Sequence, residues 1–423
     1  MKKFLVNARD IEKSAYIWNA IACTSNSVQS FIFLMIISRY EQITDASIFI
    51  IAYTLGTLLS CIGKYGVRNY QISDFEQEFS YLDYRNVRII TIILMMLSGG
   101  VYIGVSALSG NCNWYKGACI LCFLAIKAVE VYEDVFHGQL QREKRLDVAA
   151  KILSIRMFFL IIVFGAMYVL TKNLLITELI SLISTIVVSV GMNYSVKDVV
   201  SKSVINIRKN KYEILKKCFP LALTTVIMGY IANMPKFAVD TLANDYEQTC
   251  FGVIFMPVFV IGLLGNYLFN PLVGKLSDYW KNCEYQLFIK KIQQIIMLVA
   301  LIVVFGVAFG EVAGIIILEK IYLLDLRVYN VELAVLILSG GILALINFNI
   351  IIATIMRKQK ELQNEILVGG IVAFCGGQIV LERFAVLGLA VFYFLVLLCI
   401  WVANCVLIYR EMNRCEKSDI FCK

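Results

Sequence analysis

The sequence predicts an all-α integral membrane protein with about twelve transmembrane helices in two six-helix bundles, and three observations predict it. The first is composition. Of 423 residues, 60% are hydrophobic and only 17% charged, with a mean hydropathy of +0.76. Soluble domains are roughly 45–50% apolar, so a water-soluble fold of this length would expose far too much apolar surface. The second is spacing. Apolar runs near 15–37, 43–63, 87–107, 117–136, 149–170, 174–194, 214–236, 246–271, 289–309, 332–356, 363–382 and 386–409 alternate with short charged blocks. Each run holds about 20 residues, the length needed to cross a hydrocarbon core of about 30 Å. The third is the distribution of positive charge. With twelve spans the loops alternate sides, and one side collects 30 of the 39 Lys and Arg while the other has 7; Lys127 and Arg156 fall within spans. Basic loops stay in the cytoplasm. The expected topology is therefore multi-pass, with both termini in the cytoplasm.

The same placement accounts for the net charge of +8 without invoking nucleic acid. Basic residues in loops set topology and attract anionic membrane lipid. The basic segment 1–13 precedes a run long enough to span, so cleavage as a signal peptide is not expected. Within span 5, Arg156 is expected to snorkel to the cytoplasmic surface. The segment 311–326 is apolar but carries Glu319, Lys320 and Asp325, and it is expected to be interfacial or partly re-entrant. The longest basic loop, about 195–213, falls mid-chain. It divides the chain into an N-terminal lobe (1–200), a basic cytoplasmic linker (201–213) and a C-terminal lobe (214–423). A 6+6 plan is common in secondary transporters.

Polar residues inside spans are costly and usually face the protein interior or a wet cavity. Span 4 carries Lys127, Glu130, Asp134 and His137 at steps of 3, 4 and 3, which places them on one helical face. Either this stripe locks helices together by ion pairs, or it faces a cavity as a site for an ion or a substrate headgroup. The second reading makes Lys127 a substrate-binding residue and Glu130 and Asp134 ion-coupling residues. Span 1 holds Asn19, Cys23, Asn26 and Ser30 on one face, as for a hydrated lumen. Span 7 holds Asn233, Lys236 and Asp240 at i, i+3 and i+7; either Pro235 kinks the helix there, or it is an ordinary helix-end proline with Lys236 snorkelling to the interface. Asp240 joins the ion-coupling set. Span 8 holds Gly262, Asn266 and Asn270 as one stripe, followed by Pro271. Span 1 ends in Ser-Arg39-Tyr and span 7 in Pro-Lys236-Phe, a faint echo between the halves.

Catalysis is not indicated. No GxSxG, Walker A or HExxH pattern occurs, and His137 is the only histidine. The thirteen cysteines lie largely inside apolar runs and lack zinc-site spacing, so they read as small apolar residues. The expectation is a non-enzyme with no metal and no cofactor.

Three stretches resemble a known family: Trp18-Asn-Ala through Ser38-Arg39; Gly66-Val-Arg-Asn-Tyr-Gln-Ile-Ser-Asp74; and Tyr230-Ile-Ala-Asn-Met-Pro-Lys-Phe-Ala-Val-Asp240, followed by Phe255-Met-Pro257 and Asn270-Pro271. Together they resemble the polysaccharide transporter (O-antigen flippase-like) family of the multidrug/oligosaccharidyl-lipid/polysaccharide superfamily. The resemblance implies a MATE-like, V-shaped pair of six-helix bundles working by alternating access. It implies flipping of a polyprenyl-pyrophosphate-linked oligosaccharide across a bacterial-type cytoplasmic membrane for cell-surface polysaccharide biosynthesis, alongside other polysaccharide assembly proteins. By position it makes Arg39, Arg68 and Lys236 pyrophosphate contacts, and the reading of span 4 adds Lys127. Arg and Lys give charge-assisted hydrogen bonds to such a group. Asn19, Asn26, Asn233, Asn266 and Asn270 would hydrate the sugars. The alternative is a multidrug or organic-cation exporter of the same superfamily, which calls for an acidic, aromatic cavity instead.

Overall fold

The computed structural model of the chain describes residues 2–40, 43–74, 78–199, 211–269, 272–356 and 358–422. They form helices and no strand. Two compact units are present, Met1–Gly229 and Tyr230–Lys423.

The first unit contains α1 (Lys2–Val6), α2 (Ile11–Ser38), α3 (Ile43–Lys64), α4 (Val67–Ser73), α5 (Tyr81–Leu108), α6 (Trp114–Arg142), α7 (Leu146–Thr171) and α8 (Leu174–Ser195). Helix starts follow from local chemistry. Asp10, Asn113 and Asn173 each accept a hydrogen bond from the backbone N–H three residues on, and Ser80 forms a reciprocal capping box with Asp83. These side chains satisfy N–H groups that a helix start leaves open. The α3–α4 turn uses Tyr65 and Gly66 at positive φ (50° and 67°). A side chain at Gly66 would also meet Leu221 at 2.8 Å. α2 packs on α7, α3 on α5 and α6, and α8 on both α6 and α7.

Helix α9 (Lys211–Leu242) carries the boundary between the units. Residues 201–210 of the expected linker lie outside the described residues. α9 continues through Pro235, which therefore sits inside a helix. The second unit continues with α10 (Asp245–Ile254), α11 (Met256–Phe269), α12 (Val273–Lys281), α13 (Tyr285–Phe309), α14 (Ile315–Tyr322), α15 (Asn330–Ile355) and α16 (Gln359–Cys422). α16 is two helices merged. Ala385 (φ 54°, ψ −162°) breaks it between the two spans expected there. α10 and α11 make a single broken span around Phe255, just before Pro257.

Nine helical stretches of the described residues are long and apolar enough to cross a membrane. α6 misses that set because of its charges, and the α10–α11 pair because of its break. With these two and both arms of α16, the expected twelve crossings are present.

One expectation changes. The segment 311–326 does not turn back on itself: as far as Tyr322 it is the helical continuation of span 9. Gly310–Gly314 is a π-helical turn that joins α13 to α14, so span 9 continues to Tyr322. Its 38 residues reach about 57 Å at 1.5 Å per residue, well beyond a hydrocarbon core of about 30 Å. A helix of that length extends past the apolar layer, so charges near its end need not break it. Leu323 at φ 56° ends it, and the Glu319 carboxylate then accepts the Leu326 N–H at 3.1 Å.

Small residues allow close packing in both units. In the second, a Cβ on Gly340 of α15 would lie 3.0 Å from the Val258 Cα and 3.3 Å from its carbonyl oxygen on α11. Backbone cannot swing aside as a side chain can. Gly340→Val is expected to cost about 1–3 kcal/mol by overpacking, read as a lower thermal midpoint in detergent. Gly100→Ala on α5, with nothing within 4 Å, should leave the midpoint level or raise it.

Candidate functional site

The first unit builds a buried ionic chain around α6. The spacing of its stripe aims Lys127, Glu130 and Asp134 at neighbouring helices. Lys127 is 3% exposed, and its Nζ donates to Glu130 Oε2 at 3.1 Å. It also lies 5.3 Å from the Tyr53 ring centroid and 5.6 Å from that of Phe123. The other Glu130 oxygen accepts from the Arg156 guanidinium of α7 at 3.3 Å. Arg156 Nε sits 2.8 Å from Glu133 Oε2 as an ion pair, short of hydrogen-bond alignment. Glu133 Oε1 accepts from Asn193 of α8 at 3.0 Å. Arg156 is 1% exposed, so it does not snorkel to the surface as expected. Two carboxylates on α6 give it a partner inside the bundle, and that outweighs hydration at the interface.

One turn further along α6, Asp134 closes a second node. Its Oδ1 accepts from Arg68 of α4 at 3.0 Å and its Oδ2 from Arg88 of α5 at 2.9 Å. Arg88 is wholly buried and donates also to the Gly63 carbonyl at 2.6 Å, where Thr91 donates at 2.7 Å. Arg68 reaches Gln141 at 2.8 Å. His137, on the same stripe, is 4% exposed, and its Nε2 has no hydrogen-bond partner among the described residues.

The predicted residues thus divide. Arg68, Lys127, Glu130 and Asp134 are brought together, and Arg88, Glu133 and Arg156 complete the set. Asn19, Asn26 and Arg39 lie exposed along α2 and at its end, and Cys23 is exposed on the same face. An exposed polar face on a spanning helix calls for water or protein against it, because hydrocarbon offers no hydrogen bonds.

Lys236, Asn233 and Asp240 share α9 in the second unit, at 8%, 7% and 6% exposure. Asp240 Oδ1 accepts from Gln248 of α10 at 2.9 Å. Lys236 Nζ lies 4.4 Å from the Phe259 ring centroid and 5.0 Å from that of Phe255. No carboxylate pairs with it among the described residues. Tyr393 of α16 donates to the Ala232 carbonyl at 3.3 Å, beside the turn that Pro235 deprives of a donor. Asn270 and Pro271 lie outside the described residues, as does the Asn266 side chain on α11.

Sequence reasoning passed over Asp45 and Glu178. Asp45 accepts from Tyr115 Oη at 3.0 Å, Tyr168 Oη at 3.0 Å and the Leu174 N–H at 3.2 Å, tying α3 to α6, α7 and α8. Glu178 is wholly buried in α8, and neither carboxyl oxygen has a hydrogen-bond partner among the described residues. The signal was a carboxylate four residues into a predicted span. No group of three or more His, Cys, Asp or Glu suited to a metal occurs among the described residues.

No family model matches the chain, and no curated protein matches it. Solved structures do. An inward-facing multidrug resistance MATE family transporter of the MOP superfamily aligns over 92% of this chain and 96% of its own, with a TM-score of 0.66 at 12% identity. An outward-facing transporter of the same description aligns over 98% of both chains at TM-score 0.60 and 14% identity. A MOP superfamily transporter from Pyrococcus furiosus, described as having a binding pocket of reverse polarity that suggests a different function, aligns over 97% of this chain and 98% of its own, at TM-score 0.59 and 14% identity. The chain has the all-helical membrane fold of MATE transporters. The particular cargo is a separate question, because identities this low speak for fold alone.

Proposed function

We propose that this chain is a membrane transporter whose cargo carries an anionic headgroup, and that the cargo is a polyprenyl-pyrophosphate-linked oligosaccharide moved across the cytoplasmic membrane for cell-surface polysaccharide assembly. Both termini then lie in the cytoplasm. The observation that carries the reading is Lys236. A buried cation without a counter-charge costs several kcal/mol, and intramembrane ionisable residues without a structural partner default to functional roles. A pyrophosphate supplies the missing charge. The exposed Asn19–Asn26 face of α2 supplies hydrogen bonds for sugars. The contact roles expected of Arg39 and Arg68 are part of the proposal. So is that of Lys127, although its Nζ is already held by Glu130.

Coupling at Glu130 or Asp134 requires two ion pairs to open at each residue. The proposal therefore places their main role in holding the bundle. Asp240 remains a coupling residue, and Glu178 is added as a carboxyl able to carry a proton within the bundle.

The second reading is a multidrug or organic-cation exporter. The structural neighbours favour it at least as strongly, since two of the three are described as multidrug resistance transporters. The neighbour of reverse polarity supports the idea that, on this fold, the sign of the pocket sets the cargo. One experiment separates the two readings. The purified chain is placed in liposomes with a fluorescent polyprenyl-pyrophosphate disaccharide, and in parallel with an organic cation such as ethidium. The proposal expects glycolipid translocation above protein-free liposomes and no cation movement. Cation movement without glycolipid translocation establishes the exporter instead.

A further inference from the structure

A groove of about 640 Å³ lies where α1 folds back beside the start of α2. Its walls are fixed. Leu5 is wholly buried against Leu140, Val148, Ile152, Met192 and Val196. The end of α1 is held from α7 and the residue before it: Lys151 Nζ lies 3.2 Å from both the Phe4 and Leu5 carbonyls, and Arg145 donates to the Val6 carbonyl at 2.6 Å. Phe4 meets Trp18 edge-on at 5.9 Å.

The lining is strongly one-signed. Lys3, Arg9, Lys13 and Lys151 face a single acid, Asp10. Asp10 Oδ1 is engaged by the Lys13 N–H at 3.0 Å as the cap of α2. Lys3, Arg9 and Lys13 are exposed, and none has an ion pair among the described residues. Lys2, by contrast, pairs with Asp198 at 2.9 Å. Basic residues that serve only to orient a chain need number, not shape. Here they surround a concavity lined also by Phe4, Ile17 and Trp18, at the start of the first span. Trp rings and apolar side chains at that level mark the interface between headgroups and acyl chains.

We propose that this groove is a binding site for the phosphate headgroup of an anionic phospholipid in the adjoining leaflet. Lys3, Arg9 and Lys13 meet the phosphate, and Ile17 and Trp18 lie along the glycerol and upper acyl chain. Each basic residue near an anionic surface is worth roughly a five-fold change in affinity, so three together select strongly against a zwitterionic lipid. The site is independent of the cargo, and the transport reading stands or falls separately.

Trp18 reports on it directly. A chain with Trp114, Trp280 and Trp401 replaced by Phe retains Trp18 as its only tryptophan. It is reconstituted in phosphatidylcholine nanodiscs containing equal fractions of acyl-brominated phosphatidylglycerol or acyl-brominated phosphatidylcholine. Brominated phosphatidylglycerol is expected to quench Trp18 several-fold more. The triple variant Lys3→Gln/Arg9→Gln/Lys13→Gln abolishes that preference. The variant Lys281→Gln/Lys290→Gln/Lys291→Gln, which removes basic residues outside the groove, keeps it. Equal quenching by the two lipids overturns the proposal. So does a preference that survives the groove variant, which would report general surface charge. Competition by millimolar inorganic phosphate alone also overturns it, showing a free-anion site. Should the single-tryptophan chain not fold, native mass spectrometry of the unmodified chain counts bound phosphatidylglycerol. The count must drop in the groove variant.

Discussion

Asp134→Ala is expected to destabilise the first unit by about 3–5 kcal/mol, the usual cost of removing one partner from a buried ionic set. Among the described residues, Asp134 is the only carboxylate that holds both Arg68 and Arg88. Arg68 keeps Gln141 and partial access to water, with its side chain 28% exposed. Arg88, wholly buried, keeps only a carbonyl oxygen for its charge. Thermal unfolding in detergent reads the loss as a clearly lower midpoint. Asp198→Ala serves as the control. It breaks the Lys2 pair, whose side chains are 55% and 65% exposed, and such pairs are worth about 0–1 kcal/mol. The double variant Asp134→Leu/Arg88→Met should regain much of the loss, because well-packed apolar groups often replace a buried pair at no cost. A midpoint for Asp134→Ala equal to that of Asp198→Ala would show that the node does not hold the bundle.

The α6 half of this network is legible in the sequence. Lys127, Glu130, Asp134 and His137 repeat at helical steps inside an apolar run, and nothing but a shared face explains that. The other half is not. Arg88 and Arg156 lie near predicted span starts, where topology alone accounts for a basic residue. Only the three-dimensional neighbourhood shows that each turns inward to a carboxylate on α6. Charge counting explains where a cation is tolerated and says nothing of its partner. The minimum span length is set by the bilayer, so the number and order of the spans were readable. The continuation of span 9 past Glu311 was not, because the charges of Glu319 and Lys320 break an apolar pattern without breaking a helix. On α9, spacing placed Asn233, Lys236 and Asp240 together. It did not show that Phe255 and Phe259, on the next span, would receive the lysine.

Replacing Lys236 should separate transport from stability, and the direction distinguishes a cargo contact from a packing residue. Its Nζ is buried among aromatic rings with no carboxylate at hand among the described residues. A cation over a ring regains about 0.5–2 kcal/mol, less than an uncompensated buried charge costs. Lys236→Met therefore leaves the thermal midpoint level or higher. Translocation of the pyrophosphate-linked glycan falls at least tenfold, since a charge-assisted hydrogen bond contributes about 1.5–3 kcal/mol. Lys236→Arg keeps most of the rate, because the guanidinium preserves the charge and donates to two phosphate oxygens. Lys236→Glu removes glycan movement and, by inverting the sign, favours organic cations. A residue that served packing alone would behave in the opposite way, with the Met variant losing stability and transport together. Translocation by Lys236→Met at the parental rate, at matched protein levels, would remove the observation on which the anionic-cargo reading rests.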